Sequence, residues 1–324
     1  MRKYSIGAIG LLTVMLSFQS TATAQAPYPN RSIRLVVGNV AGSSTDTLAR
    51  IYSNSLAKVL GQQIVILNQA GAGGTIATEM AARSAPDGYT IKVGSPQALA
   101  ISPHLYSQAK YKPLDDFVPI TMIARTENAL VVPTVQPFNT VKDIIDYAKA
   151  NPGKLNMANA GPGSQSHLAS ALFTHMAGIE VLHVPYRGAA SMIAVVANEN
   201  QLTLNPMPAA ASHIKSGRLR LIAIGAETRN RTYPDTPTIA ESGVPGFASQ
   251  GWAGFVAPKG TPQAVIDKLR EAILQVSQEP EIITALQNAG ADPWTTTPEE
   301  MWKYLKEDLE RYAVAVKISG AKAE

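Results

Sequence analysis

Ile33-Arg34-Leu35-Val36-Val37 runs into Gly38-Asn39-Val40-Ala41-Gly42-Ser43-Ser44-Thr45-Asp46. From there Leu48, Ile51, Tyr52, Leu56, Val59 and Leu60 recur at helical spacing as far as Gly61. The first five residues read as a buried strand, the next nine as a small, hydroxyl-rich loop, and Thr45–Leu60 as an amphipathic helix stopped by glycine. The pattern then repeats. Ile64–Leu67 is a strand, Asn68-Gln69-Ala70-Gly71-Ala72-Gly73-Gly74-Thr75 its loop, Thr75–Ala85 a helix closed by Pro86-Asp87-Gly88, and Thr90–Val93 a third strand. Strand–helix–strand–helix–strand implies a parallel sheet with right-handed crossovers.

A second series follows. Leu130–Val132, Leu155–Ala158, Val181–Pro185, Leu202–Leu204 and Leu219–Ile224 read as strands. Between them Thr140–Ala150, Ser164–Met176, Ala189–Ala197 and Ala209–Ser216 read as helices, with Thr140 as an N-cap. The tail is helical: Pro262–Gln278, Glu281–Ala289 and Pro298–Val316, the last opened by a Thr297/Glu300 capping box. Extended segments at Phe117–Ile123 and Gln250–Ala257 join the two series. This predicts two α/β lobes, with the helical tail packed back on one of them.

The chain has 324 residues, enough for two lobes with sizeable cores. At 45% hydrophobic it is not a disordered polymer. It contains no cysteine, which removes thiol catalysis, disulfides, thiolate metal sites and a lipid-bearing cysteine. Arg2 and Lys3 precede an apolar run from Ile6 to Phe18 and then Ala22-Thr23-Ala24-Gln25-Ala26, the pattern of a secretory signal peptide cut after Ala24. Removing residues 1–24 takes two cations and no anions, so the net charge of +4 falls by half. No later run is long and apolar enough to span a bilayer. The expectation is an exported chain that inserts in no membrane.

In open parallel sheets ligands sit beyond the carboxyl ends of the strands, where loops feed helix N-termini. Three such loops are small, hydroxyl-rich and nearly free of cations: the two above, and Asn159-Ala160-Gly161-Pro162-Gly163-Ser164-Gln165-Ser166-His167. Unpaired N–H groups and the helix dipole let such termini hold an anion without Lys or Arg. Tight turns and N-caps are the bland alternative for any one loop, but three equivalent loops in two lobes favour binding. Gly71-Ala72-Gly73-Gly74-Thr75-Ile76 fails as a dinucleotide fingerprint, because Ile76 replaces the third glycine and Gly94-Ser95 stand where an acidic residue is needed. There is no G-x-S-x-G elbow, H-E-x-x-H or P-loop lysine. His167 and His175 have no carboxylate companion for zinc, so they read as capping or packing residues. Asp46 reads as a carboxylate suited to a helix start. No basic stripe interleaved with aromatics suggests nucleic acid.

These residues resemble the Bug-type periplasmic substrate-binding proteins, the receptor component of tripartite tricarboxylate transporters. The resemblance runs from about Tyr28 to Ala323. It is carried by Tyr28-Pro29, Ala41–Asp46, Asn68–Ile76, Ala85–Thr90, His183–Gly188, His213–Arg220, Pro237–Glu241 and Ala257–Pro262. It implies a two-lobed periplasmic-binding-protein (Venus flytrap) fold, each lobe a mainly parallel sheet flanked by helices, with two crossover strands. Residues 25–123 and 251–324 would form lobe 1, and 124–250 lobe 2. The implied ligand-binding set is Ala41, Ser43, Ser44, Thr45, Gly73, Gly74, Thr75, Ser95, Ser164, Gln165 and Asn205. Asn205 stands where some relatives carry an aspartate for an ammonium group, and a neutral amide cannot supply that charge. The expectation is therefore a monomeric periplasmic receptor for a small, non-amino carboxylate, without cofactor or metal, serving membrane permease subunits. Two alternatives stay open: a secreted esterase using Ser43 or Ser164, and a ligand sensor for a signalling protein.

Overall fold

The computed structural model describes residues 27–226, 228–230 and 233–321; the expected signal peptide lies outside the described residues. In chain order the elements are β1 (Ile33–Val37), α1 (Ser44–Leu60), β2 (Ile64–Asn68), α2 (Thr75–Ala82), β3 (Thr90–Gly94), α3 (Ser102–Leu105), α4 (Pro113–Asp116) and β4 (Phe117–Pro133). Next come α5 (Val141–Ala150), β5 (Asn156–Asn159), α6 (Gln165–Ala177), β6 (Leu182–Pro185), α7 (Ala190–Val196), β7 (Leu202–Pro206), α8 (Met207–Lys215) and β8 (Leu219–Ile224). The chain closes with β9 (Gln250–Pro258), α9 (Gln263–Ser277), α10 (Pro280–Asn288), β10 (Ala291–Pro293) and α11 (Pro298–Ser319).

The helix ends follow local chemistry. Ser43 caps α1 through the Asp46 N–H, and Gly61 ends it in the left-handed conformation at φ 66°. The Thr297/Glu300 capping box forms at both of its bonds, 2.7 Å and 3.1 Å. Thr140 and Asp143 make a second box on α5.

The strands form two sheets that share β4. In the first lobe β1 pairs in parallel with β2 and β3, setting Ile33 opposite Ile64 and Leu35 opposite Ile91. Strand β9 then runs antiparallel between β3 and β4. Residues 117–127 of β4 pair with β9, and residues 128–133 pair with β7 and β8. In the second lobe β5 pairs in parallel with β6 and β7. The chain thus passes between lobes at 127–128 and returns at 249–250. The two passages are tied side by side, Asn128 Nδ2 donating to Ser249 Oγ at 2.6 Å. This is the two-lobed periplasmic-binding-protein architecture. Each lobe has its own core, one around Leu35, Tyr52 and Phe255, the other around Leu130, Phe173 and Leu204. Each fully buried Leu or Phe stabilises its lobe by about 1.5–3 kcal/mol.

Three expectations change. The extended segment at Phe117 and the strand at Leu130 are one 17-residue strand, because β4 serves both sheets. The stretch between β3 and β4, where no element is read from the sequence, holds one π-helical turn (Gln97–Ile101) and the short helices α3 and α4. The tail does not keep to one lobe. Helix α11 packs on β4 and α3 and also on α6, with Leu168 of α6 joining Trp252, Met301 and Leu305 in one apolar cluster. Its apolar stripe is long enough to cover both, so tertiary packing rather than local pattern decided its place.

Candidate functional site

A cleft between the lobes, about 710 Å³ with its open mouth, collects the loops that follow β1, β3, β5 and β7. Ser43, Ser44, Thr45 and Ser95 line it from the first lobe, Ser164, Gln165 and Asn205 from the second. None of its lining residues is ionisable.

The first loop is held from behind by Asp46, which is 1% exposed. Its Oδ2 accepts from the Gly42 N–H and from Arg50 Nε, both at 2.9 Å, and its Oδ1 accepts from Asn68 Nδ2 at 2.9 Å. Burial works against the charge, but these donors outweigh it and hold the carboxyl below its ordinary value. Asn68 Nδ2 also donates to the Asn39 carbonyl, locking β2's end to the same loop. With Gly42, Ser43 and Asp46 N–H groups already bonded, those of Ser44 and Thr45, at the first turn of α1, are left for the cleft.

The loop after β5 is organised alike. Ser166 Oγ accepts from the Ala160 N–H at 2.9 Å, Asn159 Oδ1 from Gly161 at 3.0 Å, and His167 Nδ1 from Gly163 at 3.1 Å. Ser164 Oγ caps α6 by accepting from the His167 N–H. The N–H groups of Gln165 and Ser166 remain for the cleft, and buried Gln165 Nε2 has no partner in the protein. The His167 ring packs edge-on against His183 at 5.9 Å. Burial keeps both rings below the ordinary imidazole value, and His167 lowers His183 further. Helix α7 also points at the cleft, but its first N–H groups bond back to Arg187, Gly188 and Ala189.

Of the residues expected in the site, Ala41, Gly73, Gly74 and Thr75 are not part of the lining. Ala41 lies on the exposed outer turn of its loop. The 71–75 loop sits behind the first one, where a Cβ on Gly38 would lie 3.1 Å from Gly74 Cα. The Gly73 carbonyl is bonded to Ser102 Oγ, and Thr75 faces a separate hollow with Glu79, Tyr106 and Pro162. Local pattern gave no sign of this, because close packing of two glycine loops is a tertiary fact.

The lining also includes Asn39, Gln97, Thr126, Ser191, Met192 and Trp252, which were not expected. Asn39 and Gln97 follow the ends of parallel strands, so strand position pointed to them. Thr126 and Trp252 sit on the crossing strands β4 and β9, whose local sequence carries no such signal. Ser43 and Ser164 act as helix caps. The Nδ1 of His167 is occupied by the Gly163 N–H, so the geometry offers Ser164 no base at that atom. Asn205 is 5% exposed and donates to Thr203 Oγ1 at 2.7 Å.

Comparison with known proteins places this geometry. Residues 48–320 match the family model for the tripartite tricarboxylate transporter family receptor. Protein BugT of Bordetella pertussis is 35% identical, covering 96% of this chain and 98% of the relative. Among solved structures, Rpa4515 of R. palustris with adipate superposes with a TM-score of 0.87 at 32% identity, over 91% of this chain and 99% of the other. MatC from Rhodopseudomonas palustris with bound malate gives 0.82 at 30% identity, over 89% and 100%. The matched span covers most of the chain and both lobes, and on that ground the protein belongs to the tripartite tricarboxylate transporter family of receptors.

Proposed function

We propose that the protein captures a small organic carboxylate without an ammonium group, by closing its lobes around it, and delivers it to transporter permease subunits. The observation that carries this reading is the pair of helix N-termini, α1 from one lobe and α6 from the other, facing one cleft that lacks any ionisable side chain. Free N–H groups there suit an anion, and no carboxylate is present to balance an ammonium. Lobe closure excludes water and so strengthens each N–H···carboxylate bond in the lower dielectric. The lobes are taken as the expected 25–123 with 251–324 and 124–250, with the passages set at 127–128, where β4 changes partners, and at 249–250. The mature chain is taken as a monomer starting at Gln25, and its compartment as the periplasm. Support for export is the N-terminal signal pattern, and no helix among the described residues is long and apolar enough to cross a membrane. The protein acts as a carrier; Ser43 and Ser164 serve as caps.

The test is a thermal-shift screen of ligand-stripped mature protein against mono-, di- and tricarboxylates and amino acids. A ligand at about 100 times its dissociation constant adds about 2.7 kcal/mol of stability. Shifts confined to amino acids would refute the non-amino reading, and no shift across the panel would refute the carboxylate reading.

A further inference from the structure

Trp252 on β9 is 2% exposed and is, with Ala253, among the residues that line the cleft. An indole has a single donor. Here Nε1–H donates to Asp308 Oδ2 at 2.6 Å, a bond made inside the protein to a residue on α11. What the ring can offer a ligand is therefore its apolar surface. The rest of its surroundings hold the ring in place. A Cβ added at Gly94 would lie 3.4 Å from Trp252 Cζ3, so this glycine of β3 stands beside the ring. Asp308 is itself 2% exposed, with its Oδ1 3.3 Å from the Arg311 guanidinium.

Leu48, Met192, Ala209 and Ala253 extend the apolar wall. Several polar neighbours are already committed within the protein. Thr45 Oγ1 donates to Asn39, Ser191 Oγ to the Gly188 carbonyl, and Asn205 Nδ2 to Thr203. These three polar groups are turned into the protein, while an apolar body finds a fixed surface.

We propose that Asp308 is a positioning residue for ligand binding: by holding the Trp252 indole edge it fixes an apolar wall that selects carboxylates with a hydrocarbon body, chain or ring, over short hydroxylated ones. The C-terminal helix is thereby part of the binding machinery although it contributes nothing to the lining. This rests on the carboxylate reading above.

The experiment is calorimetry on the full mature chain, stripped of small molecules, with adipate, benzoate and malate as probes. Wild-type protein should bind adipate or benzoate at least about tenfold more tightly than malate. Trp252→Ala should remove about tenfold or more of the affinity for the preferred acid and change malate by less than about threefold. Asp308→Leu should lose selectivity in the same direction, and Asp308→Asn, whose amide oxygen still accepts, should recover most of it. Trp252→Phe keeps a ring without its anchor; it should lose part of the selectivity, and serves if Asp308→Leu does not fold. Malate bound as tightly as the others by wild type overturns the selectivity and leaves the carboxylate reading standing. Wild-type selectivity in Asp308→Leu or Trp252→Phe overturns the role of Asp308. Binding of no carboxylate overturns the reading on which both rest.

Discussion

Leu105 of α3 in the first lobe lies directly against Gly163 in the α6 loop of the second, so closely that a Cβ on Gly163 would overlap Leu105 Cδ2. Gly163 also holds φ 67°, where an L-residue is strained. The two lobes can approach as they do only because this position has no side chain. Gly163→Ala should weaken ligand binding by about tenfold or more, since closure must then displace Leu105. Strain at positive φ should add about 1 kcal/mol of instability. Adding Leu105→Ala should restore affinity without removing the strain, a separation that calorimetry and melting curves together can read.

Gln165 Nε2 is a buried donor without a protein partner on the wall of the cleft. Gln165→Glu replaces that donor with a second anion beside the ligand carboxylate. Affinity should fall by about a hundredfold or more, since like charges brought together in a partly dry site cost several kcal/mol. Gln165→Leu should lose less, about tenfold, because it removes a bond without adding repulsion. Titration calorimetry at fixed ionic strength checks both; equal losses would refute the anion at this wall.

The His167 ring accepts the Gly163 N–H only when Nδ1 carries no proton. Burial holds its folded value below the ordinary 6.5. The unfolded chain therefore takes up the proton first as pH falls. Stability from the neutral ring is complete above about 6.5 and is lost as pH drops from there toward the lower folded value. His183 is lowered in the same direction, by burial and by His167. Melting temperature should decline below about pH 6.5, and His167→Gln should flatten the decline. A wild-type pH profile in that variant would refute the assignment.

Glu127 sits where β4 changes partners, 6% exposed, with Asn230 Nδ2 donating to it at 2.5 Å. Burial pushes its carboxyl up to about 7 from 4.5, assisted by Asp292 and opposed by Asn230 and Arg125. A group raised in the fold contributes most below its unfolded value, and that contribution is lost as pH rises to about 7. Glu127→Gln should therefore be more stable than wild type at pH 8, with the gap closing toward pH 5. Melting curves at the two pH values decide it; a gap that widens in acid would be the wrong sign.

Much of the fold is legible locally because its elements carry their own boundaries. Strands β1 and β8 are predicted to the residue, and Thr140 and Thr297 cap the helices they were expected to cap. Parallel pairing of β1, β2 and β3 follows from strand–helix alternation. The loops after β1 and β5 were visible as helix starts rich in hydroxyls, and Ser43, Ser44, Thr45, Ser164 and Gln165 do meet across the cleft.

What the sequence by itself determined is therefore most of the secondary elements, the parallel pairing of β1, β2 and β3, and the two loops that end at α1 and α6. Capping, periodicity and turn chemistry act over a few residues and leave their mark there. Only the tertiary structure decided that β4 runs unbroken through both sheets, that the 71–75 loop lies behind the cleft, and that α11 spans both lobes to hold Trp252 through Asp308. Each of these depends on surfaces far apart in the chain coming into contact. Hydrophobic burial is non-directional, so the same apolar stripe on α11 suits one lobe or two until packing selects between them.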